Sequence, residues 1–452
     1  MSPTTTTTTK KDKDWSGGDG LIPGRDALGP IFLMVTTPCF SIIFFHVCAN
    51  MEGNFVAFAR LVWEQGSLVT VLREIWPDPW DYTVWRMILT FMAFNIFLMK
   101  AVPGKTMYGT MTPKGNTPVY QANGMQCYLI NVVALLALAH FEIWNPAVVY
   151  DKFGMILSSM NVFALAFCTM LLIKGYLAPS STDSGTTGSI IHDFYWGMEL
   201  YPRIFGWDVK VFTNCRTGMM FWVVGILSYC YKNMELNGGQ LQYGMACSVA
   251  IQMIYLSKFY YWEMGYMRSM DIQHDRAGYY ICWGCLVWVP AVYTSQAFYL
   301  TSNAPDISLG TALAIFTAGA LCVWINYDSD HQRYMFRASK ANCAIWGRSP
   351  PQHIVAKYQT STGESRTSLL LVDGWWKISR HFHYVPEILA SFFWSASALD
   401  SGLVGPYFYT FYLTILLTDR AFRDDDRCSL KYGPYWKEYC DQVPWKIVPG
   451  IV

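Results

Sequence analysis

The chain has 452 residues, a net charge of +1, 53% hydrophobic residues and only 14% charged ones. Soluble domains carry about 25% charged residues, so the deficit points to a bilayer as solvent. The near-zero net charge gives no sign of a nucleic-acid partner, and aromatic residues at 17% suit wide interfacial belts.

Residues 1–26 hold the run Thr4–Thr9, then KKDKD and a Gly-rich stretch. They predict a disordered cytosolic tail, with no apolar core of a secretory signal. Residues 27–452 form the membrane domain. A crossing needs about 20 mostly apolar residues. Ten windows qualify, near 28–49, 84–101, 126–146, 154–176, 217–235, 244–262, 277–300, 308–326, 385–400 and 403–420. The last two form a tight apolar hairpin. The expected fold is thus an all-α polytopic membrane protein of about ten transmembrane helices. Lys and Arg concentrate in the tail, in the loop after the second window, after the eighth window and at the C-terminus, whereas the segment 50–83 is acidic. By the positive-inside rule both termini are cytosolic. Between the fourth and fifth windows, GTTGSIIHDFYWGMELYPRIFGWDVKVF is aromatic and amphipathic, which reads as an interfacial or re-entrant segment.

The 13 cysteines are scattered through apolar runs and read as buried thiols. No Rossmann fingerprint, P-loop or HExxH motif occurs. His381 and His383 are two apart and would point to different helix faces, so no metal is expected.

The polar residues near membrane depth mark the chemistry. The block WEMGYMRSMDIQHDR carries Glu263, Arg268, Asp271, His274 and Asp275. It reads either as a functional cluster or as a salt-bridged loop at a helix end. Arg333 and Arg337 are four apart, one helical face, which suits a phosphate clamp and also plain positive-inside topology. Trp376, Tyr384, Tyr432 and Tyr439 read as stacking platforms for flat rings or as an interface belt. The run Asp424–Asp426 reads as a ribose contact or a solvated helix face.

Together these stretches resemble a known family. LLLVDGWWKISRHFHY and DRAFRDDDRCSLKYGPYWKEYCDQVPWKIVPGIV are similar to the two signatures of the NADPH-dependent sterol reductases. That family holds the C14-sterol reductases, the Δ7-sterol reductases and the membrane part of the lamin B receptor. SSTDSGTTGSIIHDFYWGMELYPRI, MDIQHDRAGYYICWGCLVWVP and RHFHYVPEIL resemble its Δ7 branch in the plant-like form. The resemblance implies a multi-pass protein of the endoplasmic reticulum membrane that uses NADPH on a sterol drawn from the bilayer, with other sterol-pathway enzymes as partners. It implies a cofactor and sterol region over about 263–452. The matching cofactor positions are Arg333, Arg337, Leu371, Trp376, His383, Tyr384, Asp424, Cys428, Ser429, Leu430, Lys431, Tyr432 and Tyr439. The implied reaction is reduction of the C7–C8 double bond of Δ5,7-sterols. Reduction at C14, or a non-enzymatic sterol-binding role like that of the lamin B receptor, is the alternative. Tyr293, beside Pro290 in the seventh window, is the candidate proton donor, with Glu263 or Asp275 feeding it; on the residues alone Tyr293 reads as well as a packed ring.

Overall fold

The computed structural model describes residues 28–112, 114–359 and 363–452. The predicted tail over 1–26 lies outside them. Helices dominate, as expected of a multi-pass membrane protein. In chain order they are α1 (Leu28–Asn50), α2 (Phe55–Gln65), α3 (Leu68–Ile75), α4 (Tyr82–Ala101), α5 (Gly124–His140), α6 (Val148–Asp151), α7 (Phe153–Leu177), α8 (Ile190–Trp196), α9 (Met219–Leu236), α10 (Tyr243–Tyr261), α11 (Glu263–Tyr266), α12 (Met270–His274), α13 (Tyr279–Trp283), α14 (Ser295–Asn303), α15 (Leu309–Ala338), α16 (Tyr384–Phe393), α17 (Phe408–Tyr432) and α18 (Pro434–Gln442). Three two-stranded antiparallel ribbons join them: β1 (Lys105–Tyr108) with β2 (Val119–Ala122), β3 (Arg203–Ile204) with β4 (Trp207–Asp208), and β5 (His353–Gln359) with β6 (Ser365–Leu371).

Five helical segments are long and apolar enough to cross a membrane: α1, α4, α7, Tyr279–Asn303 and α15. The pair α2–α3 is a sixth if taken as one span, but it bends by 114°. The bend has local causes. Gly66 closes α2 in the left-handed region at φ 68°, and Ser67 starts α3 by accepting from the Thr70 N–H. The sequence reading left this stretch as an acidic loop. The other five windows also fall on helices, but α5 has 17 residues and α16 only ten.

Two segments widen into π-helical turns. Val211–Gly218 leads into α9, and Gly284–Tyr293 connects α13 to α14. Pro290 lies in the second and lacks an N–H, so the ordinary ladder breaks there. Tyr293 stands at its C-terminal end. The segment between α7 and α9 is a packed structure rather than a floating anchor. Buried Asp193 ties it down, accepting from Tyr176 Oη at 2.8 Å, Thr187 N at 2.8 Å and Thr187 Oγ1 at 2.7 Å.

The main core runs the length of the bundle, with the Trp222 and Trp394 rings fully buried inside it. α10 and α15 approach closely because Gly319 leaves room; a Cβ there would sit 2.6 Å from Ile251 Cδ1. Seven residues further along each helix, Lys258 hydrogen-bonds Asn326. The two helices therefore run in the same direction. At that end of the molecule β5–β6 folds over α17 and α18. Ile354 and Ala356 alternate inward along β5 and join Leu370, Val372, Tyr432, Trp436, Tyr439 and Val443 in a second core.

Candidate functional site

α15 carries the basic face. Arg333 lays its guanidinium over the Trp376 ring, Cζ 4.3 Å from the centroid, and its nearest carboxylate, Asp330, is 4.0 Å away. Arg337 is one turn on, and no carboxylate pairs with it among the described residues. The Trp375–Trp376 turn is stapled to the same helix. Trp375 Nε1 donates to Asp328 Oδ2 at 2.7 Å, and Trp376 Nε1 to the Ser329 carbonyl at 2.8 Å. The tryptophan is thereby a rigid platform under a free-ended cation.

Beside it stands a ladder of rings. Trp376 and His383 lie 5.0 Å apart, His383 and Tyr384 4.3 Å, and His381 stacks on Tyr384 at 5.3 Å. Burial, then the charges of Arg333, His381 and Lys258, holds His383 well below the ordinary histidine range, so its ring is neutral. The Nδ1 atoms of both His381 and His383 are buried without a partner among the described residues. His381 Nε2 meets Asp424 Oδ2 at 3.3 Å, and Arg427 Nη2 meets Asp424 Oδ1 at 2.6 Å. Burial raises the Asp424 carboxyl, but the His381 hydrogen bond and the charges of Arg427, His381 and Arg333 outweigh it and hold it well below the usual carboxylate range.

α17 sorts the remaining expected residues by its periodicity. Asp424, Cys428 and Tyr432, spaced by four, share the inner face; Cys428 Sγ lies 3.9 Å from Asp424 Oδ2 and Tyr432 Oη donates to Ser368 Oγ at 3.3 Å. Ser429 and Leu430 are exposed, Leu430 at 81%, and point away. Lys431 is exposed too, its ammonium 4.4 Å over the Tyr358 ring. Leu371 and Tyr439 are buried in packing, Leu371 with Phe336 and Trp376, Tyr439 with Trp436 and β5. Of the thirteen cofactor positions, then, Arg333, Arg337, Trp376, His383, Tyr384, Asp424 and Cys428 present polar or ring surface around one corner of the fold.

Tyr293 lies deeper in the bundle. Its ring is 4.6 Å from Tyr409, 5.3 Å edge-on to Trp222 and 6.2 Å from Tyr412. Arg420 links the two regions: it pairs with Asp271, and its charge reaches Tyr384, Tyr280 and Tyr293. Neither acid expected to feed Tyr293 touches it. Both carboxylate oxygens of Glu263 are held by Arg216, Oε2 at 3.1 Å, and Arg216 also donates to Asn123 Oδ1 at 2.9 Å. Gly124 makes this possible, since a Cβ there would collide with the Glu263 carboxylate. Glu263 is thus one half of a buried ion pair. Asp275 is buried with Oδ2 unpartnered among the described residues; Lys210 Nζ bonds its backbone carbonyl at 2.6 Å, not its carboxylate. Burial, then Asp271, pushes that carboxyl up, against Arg423 and Lys210.

Sequence reasoning passed over Arg420 and Glu387. Glu387 sits in the apolar string YVPEIL, and an acid inside an apolar run was the signal for it. No three His, Cys, Asp or Glu side chains converge as a metal site among the described residues. A groove of about 660 Å³ lined by Met170, Lys174, Arg203 and Phe205 opens at the end of α7, apart from both regions.

A helical membrane bundle with a basic, ring-lined corner above buried tyrosines is the architecture to be classified. Residues 24–452 match the model of the ergosterol biosynthesis ERG4/ERG24 family, and the chain belongs to that family. It is 49% identical to the 7-dehydrocholesterol reductase of Arabidopsis thaliana over 93% of this chain and 96% of the relative. Against the 7-dehydrocholesterol reductase of Xenopus laevis identity is 33% over 93% and 91% of the two chains. Against the Delta(14)-sterol reductase of Methylotuvimicrobium alcaliphilum it is 34% over 77% and 78%.

Proposed function

We propose that this chain is a 7-dehydrocholesterol reductase, reducing the C7–C8 double bond of Δ5,7-sterols in the endoplasmic reticulum membrane. The observation that carries the reading is the 49% identity, nearly end to end, with an Arabidopsis protein of that name, against 34% with a Delta(14)-sterol reductase. The reading includes ten crossings with both termini cytosolic, and a division into a tail over 1–26 and a reductase domain over 27–452.

The basic corner fits NADPH. Arg333 and Arg337 offer guanidiniums without a close anionic partner, and two buried imidazole Nδ1 atoms lack partners among the described residues. We assign the phosphates to Arg333 and Arg337, ring stacking to Trp376 and Tyr384, and hydroxyl contacts to Asp424 and His383. When bound, the dinucleotide supplies the hydride. Everything else falls to the chain itself. A ring alkene gains a hydride only as its other carbon gains a proton, and a tyrosine hydroxyl at the bundle's centre is placed to give one. We assign that role to Tyr293, with Tyr409 and Trp222 fixing its ring and Arg420 available to stabilise negative charge as the proton leaves.

Expression in a yeast that accumulates Δ5,7-sterols tests the reading. Loss of the conjugated diene in the sterol profile is expected. An unchanged profile, with the protein present in the membrane fraction, overturns it.

A further inference from the structure

A buried polar line enters the bundle from the end that carries the basic corner, and none of the roles above uses it. Lys258 stands at its mouth, 3.8 Å from Asp330, whose side chain is 31% exposed. Lys258 also donates to Asn326 Oδ1, which fixes which end of that amide is oxygen. Asn326 Nδ2 then donates to the His383 carbonyl at 2.7 Å and to Glu387 Oε2 at 3.3 Å. The other carboxyl oxygen, Glu387 Oε1, faces Tyr255 Oη at 3.1 Å. Because an amide hydrogen occupies Oε2, the proton of a neutral Glu387 belongs on Oε1, aimed at Tyr255. Tyr255 packs on Trp222 at 5.7 Å, and Tyr293 packs on the same indole at 5.3 Å. An acid in the first turn of a helix is ordinarily explained by the helix dipole. Here its hydrogen bonds run to α10 and α15 rather than to its own backbone.

We propose that Glu387 and Tyr255 are the proton supply of the reduction, a role that rests on the alkene-reductase reading above. The Tyr255 O–H bond breaks as its proton moves toward the tyrosine cluster at Tyr293. The phenolate takes the Oε1 proton of Glu387. The carboxylate so formed is re-protonated from water at the Lys258–Asp330 mouth. One proton enters for each that leaves, and no electrons travel along the line. Asn326 is the positioning residue that holds the acid in register.

The test uses full-length protein in detergent or vesicles with a Δ5,7-sterol and NADPH, comparing wild type, Glu387→Gln, Tyr255→Phe and the double variant. The expected result is a fall in kcat of roughly 10²-fold or more in each. KM for sterol and for NADPH stays within threefold, and the solvent deuterium isotope effect on kcat changes. The double variant is no worse than the slower single one, since both interrupt one line. Stabilisation by NADPH in a thermal melt reports that each variant is folded. If Glu387→Gln is not, Tyr255→Phe, which removes one oxygen, decides alone. Single variants within threefold of wild-type kcat, or losses that multiply in the double variant, overturn the proposal. A wild-type protein that reduces no Δ5,7- or Δ14-sterol overturns instead the reading beneath it.

Discussion

Glu263 and Arg333 show how similar charges serve opposite ends. Glu263 is sealed against Arg216, so replacing it by Gln strands a buried guanidinium; breaking such a pair costs about 3–5 kcal/mol. Glu263→Gln is therefore expected to melt well below wild type while the folded fraction turns over normally, which a thermal scan paired with activity per folded molecule reads out. Arg333 is half-exposed, its head resting on Trp376 and short of a close carboxylate. Arg333→Ala should leave the melt nearly unchanged and weaken NADPH binding by roughly 10- to 100-fold, the loss of a charged hydrogen bond worth about 1.5–3 kcal/mol. Leu430→Ala, on the outward face of the same corner, should leave both unchanged. The sequence could not separate these cases. Arg216 lies 47 positions from Glu263, and no spacing rule reports a pair that only tertiary folding makes. Arg333 and Arg337 were legible, because a four-residue spacing is a property of the helix itself.

At the level of elements, α12 is clasped to α17 at two points. Asp271 pairs with Arg420, and His274 Nε2 meets Arg427 Nη1 at 2.8 Å. The second clasp needs a neutral imidazole. Burial, then Arg427, Lys210 and Lys431, lowers His274 to about 4, with Asp424 opposing. The folded state thus refuses a proton that the unfolded chain accepts below about pH 6.5, the ordinary histidine value. Its contribution to stability is complete above that pH and is lost as pH falls toward 4. Thermal melts between pH 7.5 and 4.5 should show this loss, and His274→Gln should flatten the slope across that window. Element type was readable where apolar runs were long, as in α1, α7 and α15. It failed at α2–α3, where acidic residues scattered among the apolar ones hid two short capped helices, and at β5–β6, whose alternation is confined to a few positions. The extent of α16 was overread for a related reason. Apolar composition continues past Phe393, but the backbone turns into short 3₁₀ segments before α17 begins.

On the scale of the whole molecule, the C-terminal corner is assembled from three stretches distant in sequence: the end of α15, the turn from Gly374 to Tyr384, and the inner face of α17. Family signatures located these stretches, and geometry then divided them into residues that face inward together and residues that support them from behind. The thirty residues of α15 have a further consequence. At about 1.5 Å per residue the helix is about 45 Å long, against a hydrocarbon layer of about 30 Å. It is one unbroken rod from Leu309 to Ala338, so its far end acts as a depth gauge for Arg333 and Arg337. Thickening the bilayer would draw the guanidiniums toward the headgroups, or tilt the rod and shear it against α10 at Gly319. Reconstitution into lipids of graded acyl-chain length should therefore give a turnover optimum at one thickness, with KM for NADPH rising on the thick side. A flat profile would mean that the corner rides on the ribbon and α18 instead of on the rod.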